Sequence, residues 1–233
     1  MNRVEQIKHL LSLCTPAQRR QIFLHLRKEF PIHALEAQLC TEAEVVLEAI
    51  QRAGGLTLRM IRGVIAEAAF DVEIVEKLKG WRDTTSPGDL AYDFRLEDDK
   101  GAVRVQVKLQ RSRAGEPMPA NKAYRWFPKE MYVVETQKTR AGKQRKTGGS
   151  TRPYRFGEFD VLAVAMHPVT SRWDTFMYTV ADWLIASPAN SEELLKFQPV
   201  SATPNGDWTD QFVTATEWFR AGVKRTIRGE PES

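Results

Sequence analysis

The chain has 233 residues, 42% hydrophobic and 27% charged, enough for one large domain with an extension, which excludes a disordered or fibrous chain. It has no apolar run of membrane-spanning length, no signal-peptide layout at its N-terminus and only Cys14 and Cys40 without a CxxC pair; we expect a cytoplasmic protein with no membrane partner, disulfide framework or cysteine-rich zinc site. Net charge is only +4, but residues 100–157 carry 15 Lys/Arg against 3 acids, an electrostatic footprint for a polyanion such as nucleic acid.

Residues 1–80 read as helices. Val4–Leu13 has helical spacing. Thr15–Pro16 is an N-cap followed by proline at the first helical position, and the helix continues through Ala17–Phe30 until Pro31 stops it. Thr41 and Glu44 predict a capping box for the next helix, and Gly54–Gly55 its end. Leu58–Leu78 predicts a longer helix with Met60, Ile61, Val64, Ile65, Ala68, Val72 and Val75 as its apolar face.

The period then changes. After the turn Ser86–Pro87–Gly88, the runs Asp89–Leu96 and Val103–Leu109 read as a β-hairpin joined by Asp98–Asp99–Lys100–Gly101. Lys129–Glu135 and Phe159–Met166 read as strands, and Thr175–Ile185 as a strand entering a short helix. Between them, residues 136–152 hold six basic side chains, no acid and three glycines, and read as a loop ordered by a ligand. A last amphipathic helix opens at Asp207–Trp208–Thr209, with Phe212, Trp218, Phe219 and Val223. The fold class is therefore α/β, an α+β mixed sheet with an all-α N-terminal extension. We divide the chain into a helical extension 1–57, a core 58–187, and a C-terminal helical segment and tail 188–233.

The hairpin gathers a chemical set. A turn near Asp99–Lys100 places Asp93 opposite Gln106 and Asp89 opposite Gln110. Alternation then puts both aspartates on one face with Gln106, Lys108 and Gln110. A carboxylate and an amide or backbone oxygen suit a hard divalent ion. A lysine beside them can orient or deprotonate an attacking water and stabilise a pentavalent phosphorus.

Ser86–Pro87–Gly88–Asp89 followed by Gln106–Val107–Lys108 resembles the PD-(D/E)xK nuclease superfamily in its D…QxK variant. Arg62–Gly63–Val64–Ile65–Ala66–Glu67 fits the superfamily helix that carries a glutamate. The resemblance covers residues 58–185 and implies a restriction-endonuclease-like core. It implies catalytic roles for Asp89, Gln106, Lys108 and Glu67. It also implies Mg²⁺, or Mn²⁺ in its place, held by Asp89, Gln106, the Val107 carbonyl and Glu67. Asp93 is the alternative to Asp89, because it sits opposite Gln106. This sequence departs from the pattern in two ways: Gly88 interrupts the Pro–Asp pair, and Gln106 is neutral. The resemblance further implies a type II site-specific endonuclease acting on double-stranded DNA, a homodimer, and a cognate DNA methyltransferase as functional partner. Two other readings stay open: a structure-specific repair or junction nuclease, and a catalytically inactive DNA-binding protein.

Arg111, Arg113, Lys138, Arg140, Lys143, Arg145, Lys146 and Arg152 are candidate DNA-backbone contacts. The N-terminal helices are assigned to DNA or the second subunit. Asp160 reads as structural, and Tyr124–Arg125–Trp126 is an aromatic pair amid basic residues. The four histidines lack zinc spacing, and Walker A and GxGxxG loops are absent.

Overall fold

A computed structural model describes residues 2–30, 33–138 and 153–227. The candidate contacts Arg140, Lys143, Arg145, Lys146 and Arg152 lie outside these residues. Chain packing forms two units, Met1–Leu58 and Arg59–Ser233.

The first unit holds α1 (Arg3–Leu13), α2 (Pro16–Glu29), α3 (Leu35–Leu39), α4 (Ala43–Arg52) and the start of α5 (Gly55–Glu73). At α2 the Thr15 hydroxyl accepts from Gln18 N, the Gln18 side chain accepts from Thr15 N at 2.9 Å, and Pro16 opens the helix. This capping box satisfies two otherwise orphaned donors. The box expected at Thr41–Glu44 does not form. Glu42 is the N-cap of α4 without a side-chain bond. The Glu44 carboxylate goes instead to Arg27 at 2.6 Å, and the same guanidinium holds Glu36 at 2.7 Å. A charge-assisted bond between helices displaces the weaker local cap.

α4 ends at Arg52 with Ala53, not the Gly54–Gly55 pair, as its C-cap, and α5 starts at once at Gly55 rather than Leu58 and stops at Glu73 before a 3-10 turn, Val75–Lys77. Its expected apolar face is not the one that packs. Met60, Val64 and Val72 are at least half exposed, whereas Ala66 and Phe70 are buried. Phe70 meets Phe94 at 5.1 Å, Phe176 at 5.4 Å and Phe212 at 6.1 Å between ring centroids. Ala66 lets the helix lie close to the sheet, and the Phe70 ring fills the aromatic pocket beneath it.

The second unit then runs through β1 (Arg82–Asp83), β2 (Phe94–Asp98), β3 (Gly101–Leu109), β4 (Ser112–Arg113), β5 (Glu116–Pro117), β6 (Tyr132–Glu135) and β7 (Val161–Ala165). It continues with α6 (His167–Thr170), β8 (Phe176–Val180), β9 (Ala186–Ser187), β10 (Asn190–Leu194), β11 (Phe197–Val200) and α7 (Phe212–Arg220). The main sheet has the order β1-β2-β3-β7-β8. Its pairs are antiparallel except β3 with β7, which are parallel.

Alternation along β3 sorts its side chains. Val103, Val105 and Val107 pack in one core layer with Ala66 and Phe70. Arg104, Gln106 and Lys108 therefore point to the opposite face. There Leu162 and Val164 of β7 pack with Tyr154, Phe159 and Trp183 in a second layer. Arg104 is fixed by Asp160, which accepts from its backbone N at 2.8 Å and its Nη2 at 2.6 Å.

The C-terminal part departs from the expected helical segment, because β10 and β11 lie within it and β11 pairs with β6. The last helix also starts later than expected. Thr209 exchanges two backbone bonds with Tyr178, at 2.7 and 3.0 Å, so residues around it extend the sheet before α7 begins. An all-α N-terminal region followed by a mixed sheet core is an α/β restriction-endonuclease-like architecture.

Candidate active site

The register of β2 on β3 pairs Phe94 with Val105, so Asp93 falls opposite Gln106. Asp93 N donates to Val105 O at 2.9 Å, which extends the ladder by one bond. Regular pairing ends there. Asp89 does not face Gln110, whose backbone N instead donates to Ala165 O at 3.0 Å and which bridges Val134. Residues 84–92 form no strand, and Gly88, at φ +148°, takes a conformation that favours glycine. This loop bends Asp89 off the strand.

The Asp93 carboxylate has a defined place. Its Oδ2 accepts from Val107 N at 2.7 Å and from the Gln106 side-chain Nε2. The same Nε2 donates to Val107 O at 3.2 Å. Both bonds use the amide nitrogen, so the Gln106 side-chain oxygen is left as an acceptor. Gln106 is itself buried. Glu67, Asp93 and Asp89 line one cleft of about 290 Å³ with Thr85, Ser86 and Tyr92. Asp89 is exposed at its rim, while Asp93 is half-buried.

Charge in this cleft is strained in a consistent direction. Burial raises the Asp93 carboxyl above the ordinary range, against the opposing pull of Lys108 and of the Val107 and Gln106 hydrogen bonds. Burial, and then the Asp93 charge, raise Glu67, again opposed by Lys108. Burial lowers the Lys108 ammonium below the ordinary lysine range, against the acids Asp93, Glu67 and Glu135. An acidic pair and an ammonium thus act on one another inside the protein surface. Among the described residues, the Lys108 ammonium makes no hydrogen bond or ion pair. Its Nζ lies 5.3 Å from the ring centroid of Tyr154.

The donors suit a hard divalent cation in kind: two carboxylates held above their usual range by burial, an amide oxygen and a backbone carbonyl. No group of three or more His, Cys, Asp and Glu is placed to hold a metal ion among the described residues. Any cation here would draw on Gln106 and Val107 beside the acidic pair.

The expected DNA contacts divide. Arg111 is ion-paired with Glu135 at 2.6 Å and Lys138 with Glu158 at 2.6 Å. Arg113 is exposed and has no acidic partner among the described residues. The same holds for Arg125 of the Tyr124–Arg125–Trp126 run, and for Lys122 and Lys129, which sequence reasoning did not select. Beside them Trp126 is 47% exposed and stacked on Tyr124 at 5.9 Å. The basic run around Tyr124 was their signal. Tyr154 was missed as well, and no local pattern ties it to Lys108.

The fold and this cleft define a restriction-endonuclease-like α/β protein with Glu67 on α5, Asp93 just before β2, and Gln106 and Lys108 on β3. Among solved structures, the bacterial homing endonuclease I-Ssp6803I is similar at 20% identity and TM-score 0.40, over 72% of this chain and 96% of that one. No protein-family model and no curated protein matches the chain. No helix among the described residues is long and apolar enough to cross a membrane.

Proposed function

We propose that this protein is an endonuclease that hydrolyses phosphodiester bonds of double-stranded DNA at a specific site, with Mg²⁺ as cofactor. The observation that carries the reading is the Asp93 carboxylate bonded to Gln106 and Val107, in one electrostatic cluster with Glu67 and Lys108. Asp93 is the aspartate we assign, because its carboxylate has this fixed place. Asp89, at the rim of the same cleft, is left to contact substrate.

Asp93, Glu67, the Gln106 side-chain oxygen and the Val107 carbonyl would hold the cation. When bound, it would activate water and offset charge building on phosphorus. Lys108 keeps its three N–H donors free of protein acceptors among the described residues. Its lowered affinity for protons suits it to orient a water or accept its proton, and its charged form to stabilise the pentavalent phosphorus. Gln106 holds Asp93 in place through Nε2. Arg113, Lys122, Arg125 and Lys129 supply cations for the DNA backbone. A single such cleft cuts one strand, so a double-strand break needs two copies; this supports a homodimer. A cognate methyltransferase would protect the host's own sites.

Large unmodified duplex DNA incubated with the protein and Mg²⁺ tests the reading. Discrete bands are expected. Cutting only of branched DNA would identify a structure-specific nuclease instead. Intact DNA that shifts on a native gel would identify a binding protein without activity. Lys108→Ala should slow cleavage by about 10²–10⁴-fold and leave binding in place. Normal cutting by that variant would overturn the mechanism.

A further inference from the structure

The Lys108 side chain poses a physical problem. Its stem has four rotatable methylenes, and among the described residues no carboxylate or carbonyl bonds its ammonium. Such a group samples many positions, yet the proposed chemistry needs it at one. The group in contact with it is an aromatic ring, with Nζ 5.3 Å from the Tyr154 centroid. That ring is fixed. Tyr154 is 4% exposed, packs edge-on against Phe159 at 5.4 Å and 87°, and its carbonyl accepts from Leu194 N at 2.8 Å. A second ammonium, that of Lys138, also lies 5.3 Å from the centroid and is itself tethered to Glu158 at 2.6 Å.

We propose that Tyr154 is a positioning residue for Lys108, its ring seating the ammonium beside the Asp93 carboxylate while leaving the N–H donors free for water or phosphate. The ring offers a negative π face to a cation. A carboxylate in the same place would hold the charge as firmly but would occupy the donors the reaction needs. The phenol keeps the ring neutral, since burial and the nearby Asp93, Glu158 and Glu67 charges hold its proton on. The inference rests on the role proposed for Lys108 above.

Two variants separate ring from hydroxyl. Tyr154→Leu should slow single-turnover DNA cleavage by roughly 10- to 30-fold, the scale of a desolvated cation–π contact, while the Kd for duplex DNA without metal stays within about twofold. Tyr154→Phe should recover most of the rate. Equal loss in the Phe and Leu variants, or a loss carried by Kd alone, would overturn the proposal. A second readout needs no activity and covers a Leu variant that fails to fold. After ¹³C reductive methylation, the Lys108 methyl signal, assigned by its loss in Lys108→Arg, should lie upfield from ring shielding in the full-length wild type and in Tyr154→Phe. An unshifted signal would overturn the seating. A shifted signal in a protein that cuts no DNA would keep the seating and sink the endonuclease reading.

Discussion

Asp93 and Gln106 face one another across the β2–β3 hairpin, and the Gln106 amide nitrogen bridges the Asp93 carboxylate to the Val107 carbonyl. An acid in place of Gln106 would offer no N–H to Asp93. The neutral residue therefore orders the aspartate at the expense of one negative charge, and Glu67 and Asp89 are the other carboxylates lining the cleft.

Asp93→Asn and Asp89→Asn should differ. Asp93→Asn removes the charge seated on Val107 N and should reduce cleavage by about 10²-fold or more. Asp89→Asn changes an exposed rim group and should reduce it by less than about tenfold. Parallel cleavage time courses decide, and the reverse ranking would move the assignment to Asp89.

Glu67→Gln should stabilise the metal-free protein. Burial and Asp93 raise the Glu67 carboxyl, so its ionised form opposes folding. The sign is that of a group whose folded pKa lies above its unfolded value: its contribution is lost as pH rises through the folded pKa. At pH 8 without metal, a rise in Tm is expected. Adding Mg²⁺ should raise the wild-type Tm more than that of the variant. Calorimetry with and without the ion checks both signs.

The cations without an acidic partner among the described residues should carry the salt dependence of DNA binding. Replacing Arg113, Lys122, Arg125 or Lys129 by alanine should each reduce the slope of log K against log salt by roughly 0.9. Arg111→Ala should change it less, because Glu135 already neutralises that guanidinium. Fluorescence anisotropy across a salt series measures each slope.

Arg220 latches the hairpin that bears the site. Its Nη1 and Nη2 donate to Asp98 at 2.9 and 2.6 Å, and the guanidinium lies 5.3 Å from the Trp81 ring. These bonds hold the Asp98 carboxyl below its usual range. Their stabilisation is therefore present above the unfolded aspartate pKa and lost as pH falls through the lowered folded value. Arg220→Met should lower Tm at pH 7 by about 2–4 °C, and the gap from wild type should narrow below about pH 4. A Tm series over pH 3–8 tests this.

The hairpin register was legible in the sequence because the Asp98–Gly101 turn and the alternation of Val103, Val105 and Val107 leave one pairing that buries the valines. The N-cap of α2 was legible because Thr15 and Pro16 act within one turn, whereas the reciprocal bond from Gln18 was not read. The packing face of α5 was not, since the helix has a second apolar stripe through Met60, Val64 and Val72, and only the sheet selects between them. For Asp89 and Asp93, the turn favoured one and the register the other, and the course of residues 84–92 separates them in space. The pairings Arg111–Glu135, Lys138–Glu158 and Lys108–Tyr154 join residues distant in sequence, where no periodicity marks a partner.

β3 sits in the middle of the main sheet, bonded to β2 on one edge and to β7 on the other. Gln106, Val107 and Lys108 are thus mounted on the segment least able to open by itself, and their amides should be among the slowest in the molecule to exchange with deuterium. Thermal inactivation should then coincide with collapse of the whole sheet, with no warmer window in which an intact protein has already lost its chemistry.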